Sequence, residues 1–196
     1  MDKLTAYERN KIYKDNVYWF DKAYQNKFNY YYIKGDTMYI AGTDNMTDVH
    51  DDITKVPVWG KLTDSARYNM VKPILDKNPQ IKKLVGHSLG GVTSLRLQTE
   101  YKKEGRDFEV TTYGAPVMGF WGGNNTRYRH PGDPISIFDL GKTHNVLVPS
   151  SNPLTLHSYK GYTYDFANHD IKPVEPQITI PNLVNKVQTD NSYQTS

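Results

Sequence analysis

The chain has 196 residues, enough for one domain with a continuous core and too few for two of ordinary size. Its apolar fraction of 37% is low for a globular protein, and sixteen tyrosines partly compensate, since each ring buries area while keeping a polar tip. The absence of cysteine excludes disulfides, thiolate catalysis and cysteine–zinc sites, and a net charge of +3 on scattered basic residues argues against a nucleic-acid partner.

The start, "MDKLTAYERNKIYKDN", carries charge and no apolar leader core. No apolar run approaches the roughly 20 residues that span a bilayer. These features set the expectation of a cytoplasmic or virion-associated protein. "TAYERNKIYKDNVYWFDKAYQNK" predicts a first helix, with Ala6, Ile12, Tyr13, Val17, Phe20 and Tyr24 at helical spacing. "NYYYIKGDTMYIAGT" predicts two short strands about a Gly35–Asp36 turn. "TDSARYNMVKPILDKNP" predicts a helix bent or interrupted at Pro73. "IKKLVGH" reads as a strand, and "SLGGVTSLRLQTEYKKEG" as a helix ending at Gly105. "DFEVTTYGAP" is a strand closed by Gly114 and Pro116, "RYRHPGDPISIFDLG" carries another, and "HSYKGYTYDF" is a short strand or a loop. Strands alternating with helices predict an α/β domain over residues 1–188, with a largely parallel sheet flanked by helices. The polar "TDNSYQTS", residues 189–196, reads as a frayed tail.

Ser88 stands in "LVGHSLGG", between a predicted strand and a predicted helix. That is the context a nucleophile elbow requires. Turning from strand to helix within two residues forces the serine into an uncommon backbone conformation and leaves little room for a Cβ nearby, hence Gly86 and Gly90. It also sets the Leu89 N–H at a helix N-terminus, where negative charge is stabilised. A serine that merely caps a helix needs neither glycine.

A serine nucleophile on this architecture requires an acid and a histidine later in the chain. Asp133 in "HPGDPIS" follows a predicted strand in a turn defined by Gly132 and Pro134, with Asp139 a second candidate. His157 in "LTLHSYKGY" is the favoured base, with His144 and His169 as competitors, whereas His130 reads as a surface or structural residue. "TDVHDDI", with His50 beside Asp48, Asp51 and Asp52, reads as a solvated acidic loop, because neighbouring side chains rarely converge on one ion. "VPVWG", residues 56–60, is either a small flap or a packed loop, and "GFWGGNN", residues 119–125, either lines an acyl pocket or touches lipid, or is an ordinary loop.

"LVGHSLGG", "TYGAPVMG", "RHPGDPIS" and "LHSY", preceded by "YIAGTDNMTDVHDDI", together resemble the class 3 (fungal-type) lipases of the α/β-hydrolase group, from Tyr39 to Tyr162. The resemblance implies Ser88 as nucleophile, Asp133 as acid and His157 as base, with Thr43 and the Leu89 N–H as oxyanion donors. It implies a compact single domain with little or no lid, since the segment after Thr43 is short. It implies cleavage of carboxylic (lipid) esters through an acyl-enzyme, with no metal or organic cofactor. The expected partner is a lipid or small ester, with peripheral contact to an anionic lipid surface. A phospholipase, and a non-catalytic binding or structural protein on the same fold, are the alternatives. The family carries an arginine before the oxyanion glycine; this chain has Ala41 there, so another group must do its anchoring.

Overall fold

A computed structural model describes residues 4–42, 66–116, 123–133, 145–150, 152–169 and 172–173. Helix α1 (Ala6–Gln25) begins at a capping box, in which the Thr5 hydroxyl accepts from the Glu8 N–H and the Glu8 carboxylate accepts from the Thr5 N–H. The hairpin β1 (Tyr31–Lys34) and β2 (Thr37–Ile40) follows, turning at Gly35 and Asp36 as the sequence predicts. Helix α2 (Ala66–Asp76) then runs through Pro73, so of the two expected outcomes, a bend or an interruption, the interruption does not occur. Strand β3 (Lys83–His87) leads directly into α3 (Leu89–Lys103), followed by β4 (Glu109–Tyr113), β5 (Asn125–Arg129) and β6 (Asn145–Leu147). A short 3-10 turn (Pro153–Thr155) precedes α4 (Tyr159–Asn168), and β7 (Lys172–Pro173) ends the described chain.

These strands form one seven-stranded sheet in the order β1 to β7. Strands β2 to β6 are parallel, and the hairpin strand β1 and terminal β7 run antiparallel at the two edges. The architecture is therefore the predicted α/β one, a mostly parallel sheet flanked by helices.

The period-two alternation of side chains divides the core between the two faces of the sheet. Met38, Ile40, Leu84 and Val110 meet α2 and α3 through Val71, Leu75, Val92 and Leu95. Tyr39, Val85 and Tyr113 face the other way, against Phe20 and Ala23 of α1 and Tyr162 of α4. The buried Tyr113 keeps its polar tip satisfied here, its hydroxyl accepting from Asn16 Nδ2 at 2.7 Å. Ala6, counted on the apolar face of α1, is exposed instead.

The "HSYKGYTYDF" segment is a helix, not a strand or loop. Its aromatic residues favour a strand locally. Ser158 nevertheless accepts from the Lys160 N–H as an N-cap, and Tyr159, Tyr162 and Phe166 recur at helical spacing. Burial of Tyr162 and Phe166 against the sheet then outweighs local preference.

Candidate active site

The parallel strands all end on one side of the sheet, which is where open α/β folds collect ligands. Gly42 follows β2, Ser88 follows β3, and Asp133 and His157 follow β5 and β6. The structure thus brings three of the residues singled out in the sequence to one edge.

Ser88 occupies the N-cap position of α3, yet its hydroxyl makes no capping bond. Its backbone sits at φ 52°, ψ −126°, a left-handed conformation that is uncommon for a non-glycine residue and costs of order 1–3 kcal/mol. The surrounding glycines explain how the turn fits. A Cβ on Gly90 would lie 2.2 Å from the Ile40 carbonyl oxygen, and one on Gly86 2.5 Å from that of Gly90. Strand β2, strand β3 and the first turn of α3 are therefore in backbone contact.

The hydroxyl goes to His157, whose Nε2 lies 2.9 Å from Ser88 Oγ. On the other side of the ring, Nδ1 lies 2.9 Å from Asp133 Oδ2. A carboxylate only accepts, so Nδ1 carries the proton and Nε2 presents its lone pair to the serine. Asp133 is fully buried, His157 is 9% exposed and Ser88 is 2% exposed. An imidazole in this position can take the serine proton, and the buried carboxylate beneath it stabilises the resulting charge.

Two further histidines hold the His157 loop in place. His87 Nε2 donates to the His157 carbonyl at 2.8 Å, and His130 Nδ1 donates to the adjacent Leu156 carbonyl at 2.7 Å. Burial, with the neighbouring His157 adding to it, pushes His87 down to about 3, so the ring stays neutral and one nitrogen remains an acceptor. Burial likewise pushes His130 below the ordinary value. His130 is 1% exposed, so it is a structural residue and not a surface one. No local sequence signal singles out His87, although it adjoins Ser88, because its partner lies 70 positions away.

His169 caps the end of α4 with its Nε2 3.5 Å from Asp165 Oδ1, and it makes no hydrogen bond to Ser88 or Asp133. Leu89 is the first residue of α3, so its N–H stands at the helix N-terminus. Thr43, Asp139, His144, the His50 cluster, residues 56–60 and the aromatics of residues 119–122 lie outside the described residues, as do any lid and the tail from 189. No helix among the described residues is long and apolar enough to cross a membrane.

The sequence matches no protein-family model and no curated protein. Among solved structures the chain is similar to the Lip2 lipase from Yarrowia lipolytica, at 19% identity and a TM-score of 0.42, over 58% of this chain and 57% of that one. It is also similar to a fungal lipase, at 18% identity and a TM-score of 0.42, over 75% of this chain and 63% of that one. The match thus spans less than two thirds of either protein's length. At these scores the likeness assigns neither family nor activity, and the chemistry has to be argued from the side chains.

Proposed function

We propose that the protein is a serine hydrolase that cleaves carboxylic esters, lipid esters in particular, through an acyl-enzyme. The supporting observation is the continuous bond path from Ser88 Oγ through His157, 2.9 Å at each end of the ring, to a fully buried Asp133. An ordinary capping serine would bond its own helix, and this one does not.

In the reaction, His157 Nε2 takes the hydroxyl proton as Ser88 Oγ attacks the ester carbonyl carbon, and Asp133 stabilises the imidazolium. The carbonyl oxygen becomes an oxyanion, to which the Leu89 N–H and Thr43 donate. Collapse of the tetrahedral adduct breaks the carbon–alkoxy bond, and His157 returns its proton to the departing alcohol. Water then gives its proton to His157 and attacks the acyl carbon. A second collapse releases the carboxylic acid and restores the Ser88 hydroxyl. Side chains and backbone supply every step, and no metal or organic cofactor is called on.

An apolar substrate is favoured by Leu154, three residues before His157 in the chain and 91% exposed. The test is initial rate on dispersed esters of graded chain length, taken across their solubility limits, then on anionic and neutral phospholipid vesicles at low and high salt. Turnover of dispersed short- and medium-chain esters is expected, with a salt-sensitive preference for anionic vesicles. Hydrolysis confined to phospholipid would make the protein a phospholipase. A folded protein inert toward all of them would overturn the enzyme reading in favour of a binding protein.

A further inference from the structure

Gly42, where the chain leaves β2, is gripped from two helices at once. Its N–H donates to Tyr24 Oη at 3.1 Å, and its carbonyl accepts from Arg67 Nη2 at 2.9 Å. Tyr24 comes from the last turn of α1, and Arg67, 5% exposed, from the first turn of α2. The Arg67 guanidinium lies 3.8 Å from the centre of the Tyr30 ring. Tyr30 and Ser88 are the two non-glycine residues at positive φ among those described, Tyr30 at 53°. A bulky residue is held in that region only when its surroundings over-determine it. Here the strained residue seats the guanidinium, and its own carbonyl accepts from the Ala41 N–H at 2.9 Å.

Gly42 is also fitted against the nucleophile. A Cβ there would stand 2.7 Å from Ser88 Cβ and 2.9 Å from the His87 carbonyl oxygen. The Tyr24 hydroxyl in turn gives its proton to His87 Nδ1 at 2.5 Å, and His87 Nε2 donates to the His157 carbonyl at 2.8 Å. The neutrality of buried His87 keeps the Nδ1 lone pair available for this bond. One path of hydrogen bonds therefore runs from Arg67 through Gly42, Tyr24 and His87 to the loop that carries His157.

We propose that Tyr24 and Arg67 are positioning residues: they grip the Gly42 backbone at its N–H and at its carbonyl and tie it through His87 to the His157 loop, so that the end of β2 and the base keep a fixed spacing about Ser88. This rests on the serine hydrolase reading. A loose Gly42 backbone would let the end of β2 drift against Ser88, whose Cβ it is fitted to. Transition-state stabilisation is sensitive to such drift, because the charge it meets exists only in the transition state.

Tyr24→Phe tests this cleanly. It keeps the ring stacked on Tyr159 (4.8 Å between centres, 15° between planes) and removes both hydrogen bonds. With a soluble p-nitrophenyl ester, kcat is expected to fall by roughly 10-fold or more while KM stays within about twofold. Affinity for an alkyl boronic acid, which forms a tetrahedral adduct on serine, should weaken by the same factor as kcat/KM. Arg67→Lys should act in the same direction through the Gly42 carbonyl, and it carries the test alone if Tyr24→Phe does not fold. Tyr159→Phe, which deletes the neighbouring hydroxyl bonded to Asp21, is the control and should retain kcat. An active wild type whose folded Tyr24→Phe or Arg67→Lys variant keeps its kcat, or loses only KM, overturns the clamp. A wild type inert toward both the ester and a fluorophosphonate overturns the underlying hydrolase reading instead.

Discussion

Tyr162 donates its hydroxyl proton to Oδ2 of Asp133, the same oxygen that receives the His157 Nδ1–H. The Tyr162 oxygen itself accepts the backbone N–H of His130 at 3.1 Å, and its ring stacks on the His130 ring at 3.9 Å and 6°. One carboxylate oxygen thus holds both the imidazole and a tyrosine hydroxyl. Tyr162→Phe should leave that oxygen less firmly placed beneath the His157 ring and lower kcat. It should also destabilise the fold by about 1.5–3 kcal/mol, the usual worth of a hydrogen bond to a charged group. Urea unfolding and ester turnover read the two effects. An unchanged kcat would leave Tyr162 a packing residue only.

Asp133→Asn and His157→Ala should each lower kcat by orders of magnitude, about 10⁴-fold for the asparagine, which leaves the imidazole in the wrong tautomer. Either change on top of Ser88→Ala should add little, because residues that act as one unit are non-additive. His169→Ala should keep its activity, since that ring pairs with Asp165. Silencing by His144→Ala or His169→Ala, with His157→Ala active, would transfer the role of base.

How much of this was legible in the sequence depends on how local each signal is. The turn at Ser88 is written in neighbouring residues, because Gly86 and Gly90 clear backbone that a Cβ would strike. Asp133 was legible from its place after a strand and its flanking turn residues. The supports were not legible. His87 and Tyr24 are 63 positions apart, Tyr162 and Asp133 are 29 apart, and no periodicity joins them. Nor does anything local to Ala41 and Gly42 announce the guanidinium that reaches the Gly42 carbonyl, since it comes from Arg67 on α2. Helix α4 is hard to read locally because its aromatic residues favour a strand, while the helical signal rests on the Ser158 cap and the spacing of Tyr159, Tyr162 and Phe166.

Acid should destabilise the fold through its buried histidines. An unfolded histidine binds its proton near pH 6.5, whereas His87 in the fold does so only at about 3, and His130 is lowered too. Between those values the unfolded chain holds more protons, so stability is complete above pH 6.5 and falls as pH drops toward 3. The slope approaches about 1.4 kcal/mol per pH unit for each proton bound only on unfolding. Urea unfolding from pH 7.5 to 4.5 measures it, and His87→Asn should flatten the curve. A stability independent of pH over that range would contradict the buried, neutral placement of His87.

Gly90→Ala should cripple fold and activity together. Its Cβ would lie 2.2 Å from the Ile40 oxygen and 2.7 Å from that of Ala41, so α3 must move away from β2 and carry Ser88 with it. Overpacking of this kind costs roughly 1–3 kcal/mol. Unfolding and ester turnover measured on one preparation give the comparison; full stability with full turnover would mean that helix and strand are not in contact there.

The central claim is that Ser88 is an activated nucleophile, and labelling by a fluorophosphonate probe at neutral pH, with the modified residue located by mass spectrometry, tests it most directly. The account predicts covalent modification of the folded wild type at Ser88, and none in a Ser88→Ala variant that unfolds at the same urea concentration. A folded wild type that takes up no probe, or a Ser88→Ala variant that labels as well as the wild type, would contradict it.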